Sequence, residues 1–147
     1  LSTLRSIRSN SVGAERGIGI SDVLEKAKSI SSSFGNIREL PNRDQRIIDR
    51  YSVDLVLITR QVARALRPRG QAVFVVGNSC LKNVFVSNAS GLEAAASIAG
   101  LQLTESQERE LPTSSRYLPM PKDNASSLGK RMRTESVLTF SHRKRAA

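Results

Sequence analysis

The spacing of apolar positions predicts a long amphipathic helix over residues 44–67. Apolar side chains recur there at steps of three and four, which places them on one face of an α-helix. They are Ile47, Ile48, Tyr51, Leu55, Ile58, Val62, Ala65 and Leu66. Asn42 or Asp44 can cap the first turn, and Arg67-Pro68 ends the helix because proline disfavours helical geometry in the residue before it. The arginines of this segment lie mostly off the apolar stripe, as on a solvated helix face.

A buried strand is predicted next. Residues Ala72–Val76 form a continuous run of apolar and largely β-branched side chains. Such a run, without alternation, is typical of a strand that is covered on both faces. Gly77-Asn78-Ser79 consists of turn-forming residues and is expected to end the strand.

A second helix and two more strands are predicted downstream. Asn88 or Ser90 can cap the helix, and Gly100 occupies the position after it where a left-handed residue is favoured. Leu101-Gln102-Leu103 begins a weaker strand that runs into a charged stretch, and Val137–Phe140 is the last strand.

The two flanks differ from this central segment in composition. Residues 1–43 are rich in Ser, Arg and Gly and are predicted as a loop region, with one short helix around Ser21 to Ile30. Residues 142–147 are a solvated basic tail, which leaves residues 44–141 as the folded segment. Because the chain opens on Leu rather than Met, we expect that it starts partway through a longer protein.

The charge balance favours an anionic partner. The chain carries 23 Lys and Arg against 13 Asp and Glu, a formal net charge of +10. Basic proteins gain affinity for nucleic acids by releasing counterions from phosphates, without recognising a base sequence. A basic, solvated surface without such a partner has the same composition. The few Phe and Tyr residues do not indicate a platform for base stacking.

The residue types present exclude several kinds of site. Cys80 and His142 are the only cysteine and the only histidine. A disulfide framework or a zinc cluster within one chain is therefore excluded, and a metal site or a His-based nucleophile is not expected. Cys80 is expected to be a small buried hydrophobe. The apolar stretches are shorter than a membrane span and no secretory signal is evident, so we expect a cytoplasmic protein without a membrane partner.

The order of elements predicts an α/β fold. Helix, buried strand, helix, strand, loop, strand is the order of one half of a doubly wound sheet. Three strands are fewer than a complete sheet of this kind contains. The sequence therefore predicts part of a sheet.

Several passages carry a family resemblance. Ala65–Ser79 has the sequence ALRPRGQAVFVVGNS, Leu111–Pro119 is a proline-bracketed loop, and Lys130–Phe140 has the sequence KRMRTESVLTF. These resemble a strand followed by GNS, an arginine loop and a closing K-x-M-R-x-E-x-strand in the S-adenosylmethionine (SAM)-dependent methyltransferases of the DNA methylase type. Leu4–Ser9 and Val12–Arg16 are similar to a substrate-side loop of the same family. Its members methylate cytosine N4 or adenine N6 in DNA, and it has RNA-modifying relatives.

The resemblance implies the C-terminal half of a Rossmann-like class I SAM methyltransferase sheet. The strand ending at Gly77 would be the fifth of seven and the strand near Leu101 the sixth. Val137–Phe140 would be the seventh, antiparallel and between the other two. Residues 44–67 would be the crossover helix from the fourth strand to the fifth. The implied reaction is direct transfer of the SAM methyl group to an exocyclic amine of a nucleobase, with no metal.

Two motifs of that family are missing. The cofactor loop is a glycine-rich turn after the first strand, and its only local candidates, Gly13, Gly17 and Gly19, follow no convincing strand. The Pro-Pro-aromatic loop, which in the family holds the amino group of the extruded base, is absent because the sequence contains no Pro-Pro pair. We therefore expect the chain alone to be inactive, with an N-terminal half in cis or in trans supplying both loops.

Candidate site residues come from the strand ends and from the resemblance. Ligands of parallel α/β sheets bind at the carboxyl ends of the strands, where Gly77, Asn78 and Ser79 could contact a base or simply form a turn. For the border of the target base the resemblance adds Arg5, Arg8, Glu15 and Arg16. The candidates for contacts to nucleic acid are Lys82, Arg116, Arg131 and Arg133, with Tyr117 as a stacking ring. For each of the four basic residues, the alternative is a solvated cation.

Other functions fit the same sequence. The chain could be a non-enzymatic basic nucleic-acid-binding protein, a fragment of an RNA-modifying methyltransferase, or a decayed gene product. If residues 72–76 are the fifth strand, one edge of that strand lacks its fourth-strand neighbour. An apolar edge without charge or proline predicts self-association or dependence on a second half.

Overall fold

A computed structural model describes residues 21–111 and 134–143, with side chains from residue 25 onward. The helices are α1 (Ser21–Ser31), α2 (Asn42–Ala65) and α3 (Asn88–Ile98), and two 3-10 turns, Ser32–Phe34 and Ile37–Glu39, join α1 to α2. The strands are β1 (Gln71–Val76), β2 (Ser79–Leu81), β3 (Val84–Val86), β4 (Leu101–Glu110) and β5 (Thr134–His142). No helix in these ranges has both the length and the apolar character that crossing a membrane requires.

Three of the strands form one sheet in the order β1-β5-β4. The central strand β5 is antiparallel to both neighbours, so β1 and β4 point the same way. The prediction that the last strand lies antiparallel between the other two is confirmed. The described residues thus form a mixed α/β structure with an antiparallel sheet. The strand order of a complete Rossmann-like sheet involves more than these strands and stays a prediction.

Strand β4 extends through the charged stretch that follows Leu103. It pairs with β5 over its whole length, out to Glu110 opposite Thr134, with one register shift between Leu103 and Glu105. The Thr104 hydroxyl at this bulge donates a hydrogen bond of 3.0 Å to the carbonyl of Thr139. The charged residues are exposed, so their strand conformation depends on backbone pairing with β5 rather than on burial.

The core lies between the sheet and the three helices. Leu138 and Phe140 of β5 and Leu101 of β4 are buried in it, and the Phe140 ring meets the Phe74 ring edge to face at a centroid distance of 5.8 Å. Helix α3 packs on both β4 and α2. The Thr59 hydroxyl lies 3.2 Å from the Ala95 carbonyl, so α2 and α3 are in close contact.

The segment before α2 is part of this core. The helix predicted around Ser21 to Ile30 is confirmed as α1. After it, where a loop was predicted, the chain forms the two 3-10 turns. Phe34 is fully buried against α3, and Ile30 and Leu40 are buried with it. Residues 1–20 of the predicted loop region lie outside the described residues.

Strand β1 is covered on one face only. Ala72 is buried, whereas Val73 and Val75 are 59% and 54% exposed. These valines stand opposite Thr139 and Val137 of β5, on the face of the sheet away from the helices. The prediction of a strand covered on both faces is therefore wrong for the described residues. Within them, β5 is also the only strand that pairs with β1, so the other edge is open.

The predicted helix caps are only partly correct. Helix α2 starts after Pro41, without a side-chain cap from Asn42 or Asp44, and it ends at Ala65, close to the predicted stop. Neither Asn88 nor Ser90 caps α3. Asn88 is the first residue of the helix, and the N-cap residue, Ser87, makes no side-chain hydrogen bond to the amides of the first turn. Gly100 follows α3 with a φ of +84°, as predicted.

Candidate functional site

The carboxyl end of β1 leads into a β-hairpin that the sequence analysis missed. Gly77 and Asn78 connect β1 to β2, which pairs with β3 through a two-residue turn. Both turn residues, Lys82 and Asn83, have positive φ values, +46° and +67°. This is the backbone twist that short hairpins favour. A Lys-Asn pair between Cys80-Leu81 and the apolar triplet Val84–Val86 was the available signal, although glycine is the more usual marker.

The hairpin is anchored to the rest of the fold through β3. Val84 and Val86 are buried, while Phe85 between them is 60% exposed. The Ser87 amide donates a hydrogen bond of 2.9 Å to the carbonyl of Phe34. The hairpin is therefore fixed to the turn that follows α1, and it presents Phe85 outward.

Asn78 and Asn88 join the end of β1 to the start of α3. Asn88 Nδ2 donates to the Gly77 carbonyl at 2.9 Å and to the Ser79 hydroxyl at 3.2 Å. In return, the Ala89 amide donates to Asn78 Oδ1 at 3.2 Å. Asn78 thus supplies from a distant segment the acceptor that an N-cap residue normally provides. We call this set of contacts the asparagine clasp.

The clasp restricts what Asn78 can contact. Its Oδ1 is already used by the helix, whereas its Nδ2 has no hydrogen-bond partner among the described residues. An amide nitrogen carries two donors and no acceptor. In this geometry Asn78 can donate to a base edge or to a phosphate oxygen, and it cannot accept a hydrogen bond through Nδ2.

Lys82 is engaged by a residue of the same chain. Its Nζ lies 2.7 Å from Oδ2 of Asp44, a carboxylate at the start of α2. The lysine side chain is 58% exposed and the aspartate side chain 10% exposed. A half-exposed ion pair of this kind contributes little to stability. A phosphate at Lys82 would have to compete with Asp44, so Lys82 is not a free cation at this edge.

Gly77, Asn78, Ser79 and Lys82 are therefore brought together around the start of α3 and the hairpin. The remaining predicted site residues lie outside the described residues, and their roles stay predictions: Arg5, Arg8, Glu15, Arg16, Arg116, Tyr117, Arg131 and Arg133. The sequence analysis missed the contribution of Asn88, because its side chain bonds a segment eleven residues away.

The described residues do not fit a SAM site. Gly77 is the only glycine that directly follows a strand within these ranges, and its carbonyl accepts a hydrogen bond from Asn88 Nδ2. A glycine-rich turn that lets the backbone approach a ligand is not found among them. Likewise, no group of His, Cys, Asp and Glu residues within the described ranges could hold a metal ion.

Comparison with known proteins gives one structural similarity. No protein-family model matches the sequence, and no curated protein matches it significantly. The fold is similar to the crystal structure of a protein from Thermus thermophilus that is assigned provisionally as a DNA modification methylase, with 17% sequence identity and a TM-score of 0.48. The similarity covers 82% of this chain and 52% of that protein. The chain therefore spans about half the length of that protein.

Proposed function

We propose that the chain is the C-terminal portion of a SAM-dependent methyltransferase that methylates an exocyclic amino group of a nucleobase in DNA. The observation that supports this best is the position of β5, antiparallel between β1 and β4. The family resemblance of the sequence implied this arrangement. Local sequence patterns do not dictate it, because three strands can be ordered and oriented in several ways.

The open side of β1 supports the view that more of the sheet is supplied elsewhere. Val73 and Val75 are exposed on the face away from the helices, and one edge of β1 is unpaired within the described residues. Exposed apolar area next to free strand hydrogen-bonding groups is typical of a surface that another polypeptide segment covers. In this proposal that segment belongs to the N-terminal half, in cis or in trans, which also supplies the SAM-binding and catalytic loops.

In this proposal, the asparagine clasp is the part of this chain that contributes to the reaction. Asn78 follows the carboxyl end of β1, and ligands of doubly wound α/β sheets bind at the carboxyl ends of the strands. Asn78 Nδ2 would donate a hydrogen bond to the target base or its phosphate, while Asn88 Nδ2 holds the loop through Gly77 and Ser79. The transfer of the methyl group itself uses no residue of this chain.

The proposal is tested by measuring modified nucleosides in cells that carry this gene. Nucleosides from digested DNA and RNA are quantified by mass spectrometry in the parent strain, in a deletion strain, and in that strain complemented with the wild-type gene. We expect N4-methylcytosine or N6-methyladenine in DNA to fall on deletion and to return on complementation.

The other outcomes separate the alternatives. A loss confined to RNA would contradict the DNA substrate and support an RNA-modifying methyltransferase. Unchanged modification in both nucleic acids would contradict methylation altogether. In that case, retained nucleic-acid binding by the purified chain would indicate the non-enzymatic alternative.

A further inference from the structure

The end of the sheet opposite the asparagine clasp brings four chain segments together. Gln71 at the start of β1 pairs with Ser141 near the end of β5. The His142 ring nitrogen Nε2 lies 3.0 Å from the Leu66 carbonyl, just after α2. The Arg143 amide donates a hydrogen bond of 3.0 Å to the Gly100 carbonyl, just after α3. The ends of both helices and two strand ends are thus held at one place.

Four exposed arginines lie at this end, and we call them the arginine end: Arg64, Arg67, Arg69 and Arg143. The Arg64 guanidinium donates a hydrogen bond of 3.3 Å to the side-chain oxygen of Gln61, and the Arg143 guanidinium donates one of 2.9 Å to the Ser97 hydroxyl. Both partners are neutral. Within the described residues none of the four arginines forms an ion pair, so all four charges are available to an anion.

A purely structural explanation covers only part of this set. Cations in the last turn of a helix are stabilised by the unpaired carbonyls and by the helix dipole, which accounts for Arg64. Arg67 and Arg69, however, follow the helix. They belong to a tight turn in which the Gly70 amide donates a hydrogen bond of 2.8 Å to the Arg67 carbonyl.

Arg69 occupies a position of this turn that normally suits another residue type. Its φ is +63°, and glycine and asparagine are the residues that most readily adopt a positive φ at the third position of a turn. Turn formation therefore does not explain the arginine. Non-glycine residues held at positive φ occur preferentially at functional sites.

The clustering is local and does not follow from the overall excess of positive charge. The described residues contain 13 of the 23 basic and 11 of the 13 acidic side chains, so their charges nearly balance. Acidic residues follow β4 from its middle to its far end, at Glu105, Glu108 and Glu110. Strand β4 rises about 3.3 Å per residue, which separates Glu110 from the arginine end by roughly 30 Å. The one acidic residue of α3 is Glu93, which lies one turn before Ser97 and forms no ion pair with Arg143.

We propose that the arginine end binds the phosphate backbone of duplex DNA. Guanidinium groups match phosphate geometry through paired N–H donors, and they are always charged. The described residues place no Phe or Tyr ring among these arginines on which a base could stack, so the contact is to the backbone. The arginine end lies at the opposite end of β1 from Asn78, so it is a contact surface separate from the asparagine clasp. This inference does not rest on the proposed methylation.

A double variant tests the site while preserving the turn. Arg67→Gln/Arg69→Asn removes two charges, and asparagine tolerates the positive φ at residue 69. The control is Arg38→Gln/Arg46→Gln, which removes two exposed charges from the start of α2 and the turn before it. Binding of the full chain to a duplex of mixed sequence is measured by fluorescence anisotropy between about 50 and 200 mM salt.

The expected result is a change in salt dependence. The slope of log K against log salt falls by about 0.9 for each phosphate that the protein no longer neutralises, so the arginine-end variant should show a slope smaller by roughly two units, and the control should change little. Equal changes in both variants would overturn the inference, as would the absence of binding by the wild type at low salt. A single-stranded RNA of equal length is the second arm. A slope change with RNA and none with DNA would also overturn it.

Discussion

The ring of Phe34 lies where a side chain at residue 91 would begin. A Cβ added to Gly91 would come within 2.2 Å of the Phe34 ring atom Cζ. The ring therefore packs directly on the backbone of α3, and it is fully buried there. This contact ties the segment after α1 to the helix that carries the clasp.

We expect Gly91→Ala to destabilise the chain by about 1–3 kcal/mol, because the extra methyl group overpacks the core. A matched variant, Gly100→Ala, adds a methyl group where no atom lies within 4 Å, and it strains only the positive φ after the helix. Denaturant unfolding measures both. Combining Gly91→Ala with Phe34→Leu should recover part of the stability, and strictly additive effects would contradict the direct contact.

The asparagine clasp predicts different results for two substitutions of one residue. Asn78→Ala removes the acceptor for the Ala89 amide and should cost about 1 kcal/mol, as the removal of other helix caps does. Asn78→Asp keeps an oxygen at that position, and a negative charge near a helix N-terminus is favourable. Its free energy of unfolding should stay close to that of the wild type.

The same aspartate variant separates structure from function. Asn78→Asp removes the Nδ2 donor, so in complemented cells it should lower the modified base while the protein stays folded. Full modification by this variant would show that Asn78 serves only the helix.

Val75 provides a test of the open side of β1. Val75→Lys places a charge on the exposed face of β1, whose second edge has no partner among the described residues. The substitution should reduce self-association of the isolated chain in sedimentation experiments. Phe85→Lys is the control, since Phe85 is equally exposed but lies on the hairpin. A wild-type chain that stays monodisperse and melts cooperatively at high concentration would contradict the view that β1 needs a neighbour.

The isolated chain should not bind SAM. The described residues lack a glycine turn that fits the cofactor, and the sequence contains no Pro-Pro-aromatic loop. Calorimetry at high protein concentration should therefore show no saturable heat. Stoichiometric binding would mean that the cofactor site lies in this chain, against the proposed division of the enzyme into two halves.

Tyr51 predicts how stability changes at alkaline pH. Burial raises the pKa of Tyr51 above its ordinary value of 10.0, because desolvation penalises the phenolate. The unfolded chain therefore loses this proton first. The contribution of Tyr51 to the free energy of unfolding is fully present below about pH 10 and falls as the pH rises toward the pKa of the folded chain. Tyr51→Phe should weaken this decline in unfolding measurements between pH 9 and about 11.5, and an identical decline in both proteins would contradict it.

The main helices and the position of β1 could be predicted from the sequence because they depend on local periodicity. Apolar residues at steps of three and four mark α2 whatever it packs against, and Pro68 ends it for a steric reason within the chain. Gly100 is equally local, since only its own backbone conformation is involved. The order of the three strands was also anticipated, although through the family resemblance rather than through any local pattern.

Contacts between distant segments could not be predicted in this way. Asn78 and Asn88 both looked like turn or cap residues, and only the fold decides that one caps the helix of the other. A continuous apolar run such as Ala72–Val76 shows that a strand can be buried, but its neighbours decide which faces are covered, and Val73 and Val75 are exposed. The charge of the chain follows from composition. The gathering of Arg67, Arg69 and Arg143 at one end of the sheet follows from tertiary structure, because β5 brings Arg143 there only when it pairs with β1 and β4.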